Sequence, residues 1–127
     1  MTASAPRIAQ VAVGIVAGTV VLAMTACGTA PSVDDAVRSY TAAFLSGNGD
    51  KAYDLLSARC QSVLSREQLR KVSAAAAVLY GQARMISLTS QVHGDHATVT
   101  YRFDQPAIDQ ENQPWVLESG AWRYDHC

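Results

Sequence analysis

Apolar residues recur at helical spacing from residue 33 to about residue 80 and at every second position from residue 84 onward. Val33, Val37, Tyr40 and Phe44 form one stripe, at the intervals of three and four that put side chains on a single helix face. Ser32 and Asp35 have the spacing of a capping box, Asp34 and Asp35 put negative charge in the first turn, and Gly47-Asn48-Gly49 supplies the stop. A short second helix is expected, capped by Asp50 and carrying Ala52, Tyr53, Leu55 and Leu56. A third opens at Ser57 or at Ser65, where Gln68 completes another capping box. In it Leu69, Val72, Ala76 and Leu79 share a face, the Ala74 to Ala77 run favours helix, and Gly81 ends it.

From Arg84 the period is two. Gly94-Asp95 suits a two-residue type II′ hairpin turn. The register it imposes sets Ile86 opposite Phe103, Leu88 opposite Tyr101, Ser90 opposite Val99 and Val92 opposite Ala97 on one face. The other face collects Ser87, Thr89, Gln91, Thr98, Thr100 and Arg102, and a slip by one residue would bury that polar set. Ser119-Gly120 repeats the pattern, pairing Leu117 with Trp122 and Trp115 with Tyr124 on one face and Val116 with Arg123 on the other. Between the hairpins, Gln105 to Gln113 is polar, has Pro106 and Pro114 near its ends, and is expected to be a loop or an irregular edge. Amphipathic helices followed by an amphipathic antiparallel sheet of about four strands predict an α+β domain over residues 33–127.

The beginning of the chain has a different character. Met1 to Arg7 carries one positive charge beyond the amino terminus, and Ile8 to Met24 is apolar apart from Gln10, Gly14, Gly18 and Thr19, a secretion-signal pattern over residues 1–26. The apolar stretch is slightly shorter than the roughly 20 residues that span a bilayer, so an uncleaved anchor is the alternative. Met24-Thr25-Ala26-Cys27 resembles the bacterial lipobox, in which a small residue precedes a cysteine that is acylated and becomes the first residue after cleavage. Leucine is usual where Met24 stands. On this resemblance Cys27 is the lipid attachment site and residues 27–32 are a short tether. The domain is then held on the extracytoplasmic side of the cell membrane, near the lipid surface. An uncleaved helix also leaves the domain outside.

Removing residues 1–26 leaves 101 residues, enough for one core. Loss of Arg7 takes the formal charge from −1 to −2, which offers no basic surface for nucleic acid. Three cysteines allow three pairings. With Cys27 lipidated, the remaining pair is Cys60 with Cys127, in a compartment where disulfides persist. That bridge also explains Cys60 without assigning it a nucleophilic role.

The order of elements, with Trp115, Glu118, Gly120, Trp122, Arg123, Tyr124 and Asp125 near the terminus, resembles the small exported nuclear transport factor 2-like (cystatin-like superfamily) lipoproteins of Gram-positive bacteria. The run Pro114 to Tyr124 is the sharpest part and holds no catalytic motif. The resemblance implies N-terminal helices packed on a curved antiparallel sheet, a cone that encloses a pocket. Relatives use such cones for isomerases, dehydratases, ligand carriers and interaction domains.

The expected interior strand positions include no Asp, Glu or His, so a general base is missing. Asp104 and Arg102 fall on the outer face; only a bulge turning Asp104 inward would revive an enzyme. Tyr40, Tyr53, Tyr101, Phe103, Trp115, Trp122 and Tyr124 are candidate lining for an apolar or lipid-like ligand, with a filled aromatic core as the alternative. His93 and His96 flank the first turn on one face, but two ligands fall short of the three or four that zinc takes, so neither metal nor cofactor is expected. The nearly uncharged outer sheet face is a candidate homodimer surface or simply solvated. The first expectation is a membrane-anchored accessory or interaction domain without catalysis, meeting an envelope protein. A binder of an apolar ligand comes second and an isomerase or dehydratase third.

Overall fold

The computed structural model describes residues 31–127; the expected signal segment, Cys27 and most of the tether lie outside them. The first helix, α1 (Val33–Leu45), begins as its sequence dictates: Ser32 Oγ accepts from Asp35 N at 3.2 Å and the Asp35 carboxylate reaches back to Ser32. The second, α2 (Gly49–Asp54), is capped by Asn48 and not by Asp50. Asp50 instead meets Arg66 and Arg70 from a later helix. Starting the helix at Gly49 brings its backbone against that helix, where a Cβ would lie 2.5 Å from Arg70 Cα. Only glycine fits this crossing.

The expected third helix is two. Both candidate caps are used, Ser57 for α3 (Ala58–Val63) and Ser65 for α4 (Arg66–Tyr80), because Leu64 between them is extended. The packed face of α4 also differs from the expected one. Leu69 and Ser73 are buried, Ser73 Oγ donating to the Phe44 carbonyl at 2.7 Å, whereas Val72 and Leu79 are exposed. A serine at the crossing lets α4 approach α1 closely and turns its larger residues toward the rim.

Four strands follow, β1 (Met85–His93), β2 (His96–Phe103), β3 (Gln110–Glu118) and β4 (Ala121–Tyr124), in the order β1-β2-β3-β4 and all antiparallel. The first hairpin has the expected register from Leu88↔Tyr101 to His93↔His96, with positive φ at Gly94 as a type II′ turn requires. One position departs from expectation: a bulge between Met85 and Ser87 sets Met85 opposite Phe103, and Ile86 is 66% exposed instead of interior. Val92, at the other end of the strand, is also exposed. The second hairpin pairs as expected, with Ser119 and Gly120 both at positive φ.

The expected loop from Gln105 to Gln113 is shorter. A 3₁₀ turn occupies Pro106–Ile108 and β3 starts at Gln110, its extra residue absorbed at Asn112 (φ 50°) between the pairs Tyr101↔Gln110 and Val99↔Gln113. Pro114 lies inside β3 because its backbone faces the chain beyond the end of β4. Its carbonyl accepts from Asp125 N at 3.0 Å, and the Asp125 carbonyl that a residue 114 N–H would have bonded takes Arg59 Nη2 instead.

The result is an α+β fold, N-terminal helices on one face of a curved four-stranded antiparallel sheet. Val37, Val99 and Trp115 are the centre of its core. The α2–α3 junction runs along β4 through the Leu56↔Tyr124 bridge, and Cys60 is disulfide-bonded to Cys127 as expected, with Cα atoms 5.5 Å apart. Among the described residues, no helix is long and apolar enough to cross a membrane.

Candidate functional site

A cavity of about 400 Å³ lies between the helices and the sheet. Its floor is Tyr101 and Phe103 of β2 with Tyr124 of β4; α1 supplies Tyr40, Thr41, Phe44 and Leu45, and α4 supplies Val72, Ala75, Ala76, Leu79 and Tyr80. Ile108 and Gln110 complete the lining, in which the described residues include no charged side chain. Each wall follows from local pattern. Alternation turns Tyr101 and Phe103 to the inner face, the four-residue spacing stacks Tyr40 on Phe44 with ring centroids 5.9 Å apart, and the alanines of α4 leave space that larger residues would fill.

The rings pack in a connected cluster, Tyr40 to Tyr124 at 4.5 Å, Tyr124 to Trp115 at 5.3 Å, and Tyr40 edge-on to Trp115 at 6.0 Å. The Tyr124 hydroxyl donates to Gln113 Oε1 at 2.8 Å, which also meets His126 Nδ1, while Gln113 Nε2 donates to the Glu111 carbonyl at 2.9 Å. The Tyr40 and Tyr101 hydroxyls have no hydrogen-bond partner among the described residues, and both residues line the cavity. Burial pushes the Tyr124 phenol up to about 12. It pushes Tyr40 and Tyr101 higher still, with the neighbouring Tyr124 adding to the effect. Each phenol therefore stays a neutral donor near pH 7.

The structure divides the seven candidate lining residues. Tyr40, Tyr101, Phe103 and Tyr124 line the cavity. Trp115, 1% exposed, belongs to the solid core beside it, and its Nε1 is buried without a partner. Trp122 is half-buried at the β3–β4 hairpin opposite Leu117. Tyr53 is elsewhere, donating to the Gln61 carbonyl at 3.0 Å with the Arg66 guanidinium 4.5 Å above its ring. The α4 wall was legible only as a helix face, and Gln110 and Gln113 were hidden by the expectation of a loop.

Asp104 stays outside, accepting from Arg84 N at 2.9 Å and Arg84 Nε at 3.2 Å. Arg102, also outside, is held by Asp109 and Glu111. His96 Nδ1 lies 2.6 Å from Asp95, and the described residues contain no group of three metal-ligating side chains. The cavity can hold a largely apolar body and donate hydrogen bonds to an oxygen it carries; among the described residues its lining has no carboxylate or imidazole that would take a proton. No family model, curated protein or solved structure compared with the chain matches it.

Proposed function

We propose that the protein is an extracytoplasmic binding domain of nuclear transport factor 2-like type, tethered to the cell membrane through Cys27. In this reading it holds a small apolar molecule bearing a hydrogen-bond-accepting oxygen. One observation carries this: an aromatic cavity of about 400 Å³ whose described lining is uncharged and in which the Tyr40 and Tyr101 hydroxyls have no partner among the described residues. That volume is within the roughly 300–1,000 Å³ common for small-molecule sites. Binding supported by neutral donors, without a base, favours carriage over isomerisation or dehydration. The tether rests on Met24-Thr25-Ala26-Cys27.

The interaction-domain reading has its own observation, the exposed Val78 and Leu79 on α4, 85% and 66% accessible. A neutral long-chain alcohol such as 1-decanol, titrated into the full chain, separates the two. Carriage predicts a change in Trp115 emission, because that ring touches two tyrosines of the cavity wall. Tyr40→Phe and Tyr101→Phe should then weaken binding by about two- to tenfold each, the equivalent of the ~0.5–1.5 kcal/mol of a typical hydrogen bond. Unchanged emission and no measurable uptake would remove the carrier reading. For the tether, Cys27→Ala should release the protein from membranes; a membrane-bound variant of full precursor mass would point to the uncleaved helix.

A further inference from the structure

A second cavity of about 400 Å³ adjoins the first, the two sharing Thr41, Leu45 and Phe103 as lining. Arg38, Ala42 and Ser46 around α1, Met85 of β1, and Gly81 and Ala83 between α4 and β1 make up the rest. Among the described residues, Arg38 is the one charged side chain in it. The Thr41 hydroxyl donates to the Val37 carbonyl at 2.9 Å and the Ser46 hydroxyl to the Ala43 carbonyl at 3.0 Å, so both donors are spent inside the helix. Arg38 is differently placed. The carboxylates at helical spacing from it are engaged elsewhere, Asp34 accepting from Ser90 Oγ at 2.6 Å and Asp35 from Ser32 Oγ at 2.8 Å. Arg59, Arg66, Arg70, Lys71, Arg84 and Arg102 each meet a carboxylate; Arg38 has none within ion-pair distance among the described residues. Residues 1–30 contain no Asp or Glu that could supply one. Its Nη1 is directed instead at Met85 Sδ, 3.8 Å away, a weak acceptor.

We infer that the bound molecule is an acid: its oxygen-bearing apolar body occupies the aromatic cavity, and a carboxylate at its other end occupies the second cavity against Arg38. This rests on the carrier reading and adds the ligand's charge to it. One guanidinium with no second cation in the described lining balances one negative charge, which fits a carboxylate better than a phosphate dianion. Its planar fork matches the two carboxylate oxygens. With its hydroxyl bonded to the backbone, Thr41 joins Leu45 and Phe103 in an apolar seam between the cavities, over which a methylene chain can lie. The tyrosines and Arg38 then read opposite ends of one molecule. Tyr40 and Tyr101, both buried, meet an uncharged oxygen in the interior, whereas the charged end stays at the exposed arginine and keeps part of its hydration.

The test compares 10-hydroxydecanoate with 1,10-decanediol, titrated into the full chain while Trp115 emission is followed. The two share length and one hydroxyl end and differ in charge at the other. The acid should bind about three- to tenfold more tightly, as expected for a charge-assisted hydrogen bond at an exposed group. The preference should shrink as salt is raised. Arg38→Gln should bring the acid to the level of the diol without changing the diol's affinity or the melting temperature, and Arg38→Lys should keep part of the preference. An acid that binds no more tightly than the diol would overturn the inference while diol binding leaves the carrier reading standing. A preference that survives R38Q would overturn it too, as would equal weakening of both ligands, since Arg38 would then shape the cavity and not read charge. If the acid, the diol and 1-decanol all fail to bind, the inference and the carrier reading fall together.

Discussion

The two ends of the helical layer are held to the sheet by different means. Where α2 and α3 meet β4, ties accumulate: the Cys60–Cys127 disulfide, the Leu56↔Tyr124 bridge, Ser57 Oγ to Asp125 at 2.5 Å, the Arg59–Asp125 ion pair at 3.1 Å and Arg123 on the Asp54 carbonyl. At the other end α4 packs on α1 and α2, leaves Val72, Val78 and Leu79 exposed, and has the cavity beneath it. One layer is thus sealed at one end and propped open at the other. Stability is concentrated where the chain is cross-linked, and the candidate binding surface lies where it is not, the separation expected when binding regions come from the less stable parts of a fold.

Alkaline titration should have the largest effect, acting on the tyrosines that line the cavity. Below about pH 10 the cavity tyrosines are protonated in both folded and unfolded chains, and their contribution to stability is fully present. Above it the unfolded chain loses protons that the folded chain keeps, so stability falls and is lost as the pH rises through the folded values, which begin at about 12 for Tyr124. Tyr124 alone accounts for about 3 kcal/mol, and Tyr40 and Tyr101, raised in the same direction by burial, act with it. Tyrosinate absorbance should appear together with loss of the native circular dichroism; tyrosinate forming near pH 10 in a still-folded protein would contradict the burial. At the closed end, replacing Cys60 and Cys127 by serine opens a loop whose ends are 67 residues apart. This should lower stability to denaturant by roughly 4 kcal/mol on the chain-entropy account.

Sequence pattern revealed the strand registers and the helix starts better than the packing of α4. Hairpin registers follow from two-residue turns and alternation, so the inner positions of Tyr101, Phe103, Trp115 and Tyr124 could be read directly. The capping boxes at Ser32 and Ser65 were equally legible, because each is a local contact between residues three apart. Ile86 was misplaced because a bulge is a one-residue decision made by the whole sheet. Val72 and Leu79 share a helical stripe with Leu69, yet Ser73 makes the close approach to α1. Periodicity marks an apolar face without saying which part of it another helix will cover. The division of the aromatics was invisible for the same reason: Trp115 in the core and Tyr101 in the cavity occupy equivalent inward positions, and only the small side chains of α4 above the cavity distinguish them.

Gly49→Ala should act at the join between the two ends. The new methyl would meet Arg70 Cα and N, 2.5 Å and 2.9 Å away, and both are helix backbone that yields only if α2 and α4 move apart. Overpacking of this kind costs about 1–3 kcal/mol. Since α4 is also a cavity wall, the same variant should alter 1-decanol binding as well as the melting temperature. A variant that melts early but binds as before would mean that α4 retains its place and that the strain is absorbed in α2.

The smallest effect on stability should come from Leu79→Ala. Its side chain is 66% exposed, so truncation removes little buried area, and the change should remain within about 0.5 kcal/mol. Leu79 nevertheless lines the cavity, and a ligand held there would cover it. Binding should therefore weaken while the melt does not, the reverse of the response expected from the Cys60 and Cys127 double variant. If Leu79→Ala instead lowered the melting temperature by many degrees, α4 would be packed as firmly as the cross-linked end. The contrast between the two ends of the layer would then fail at its most exposed residue.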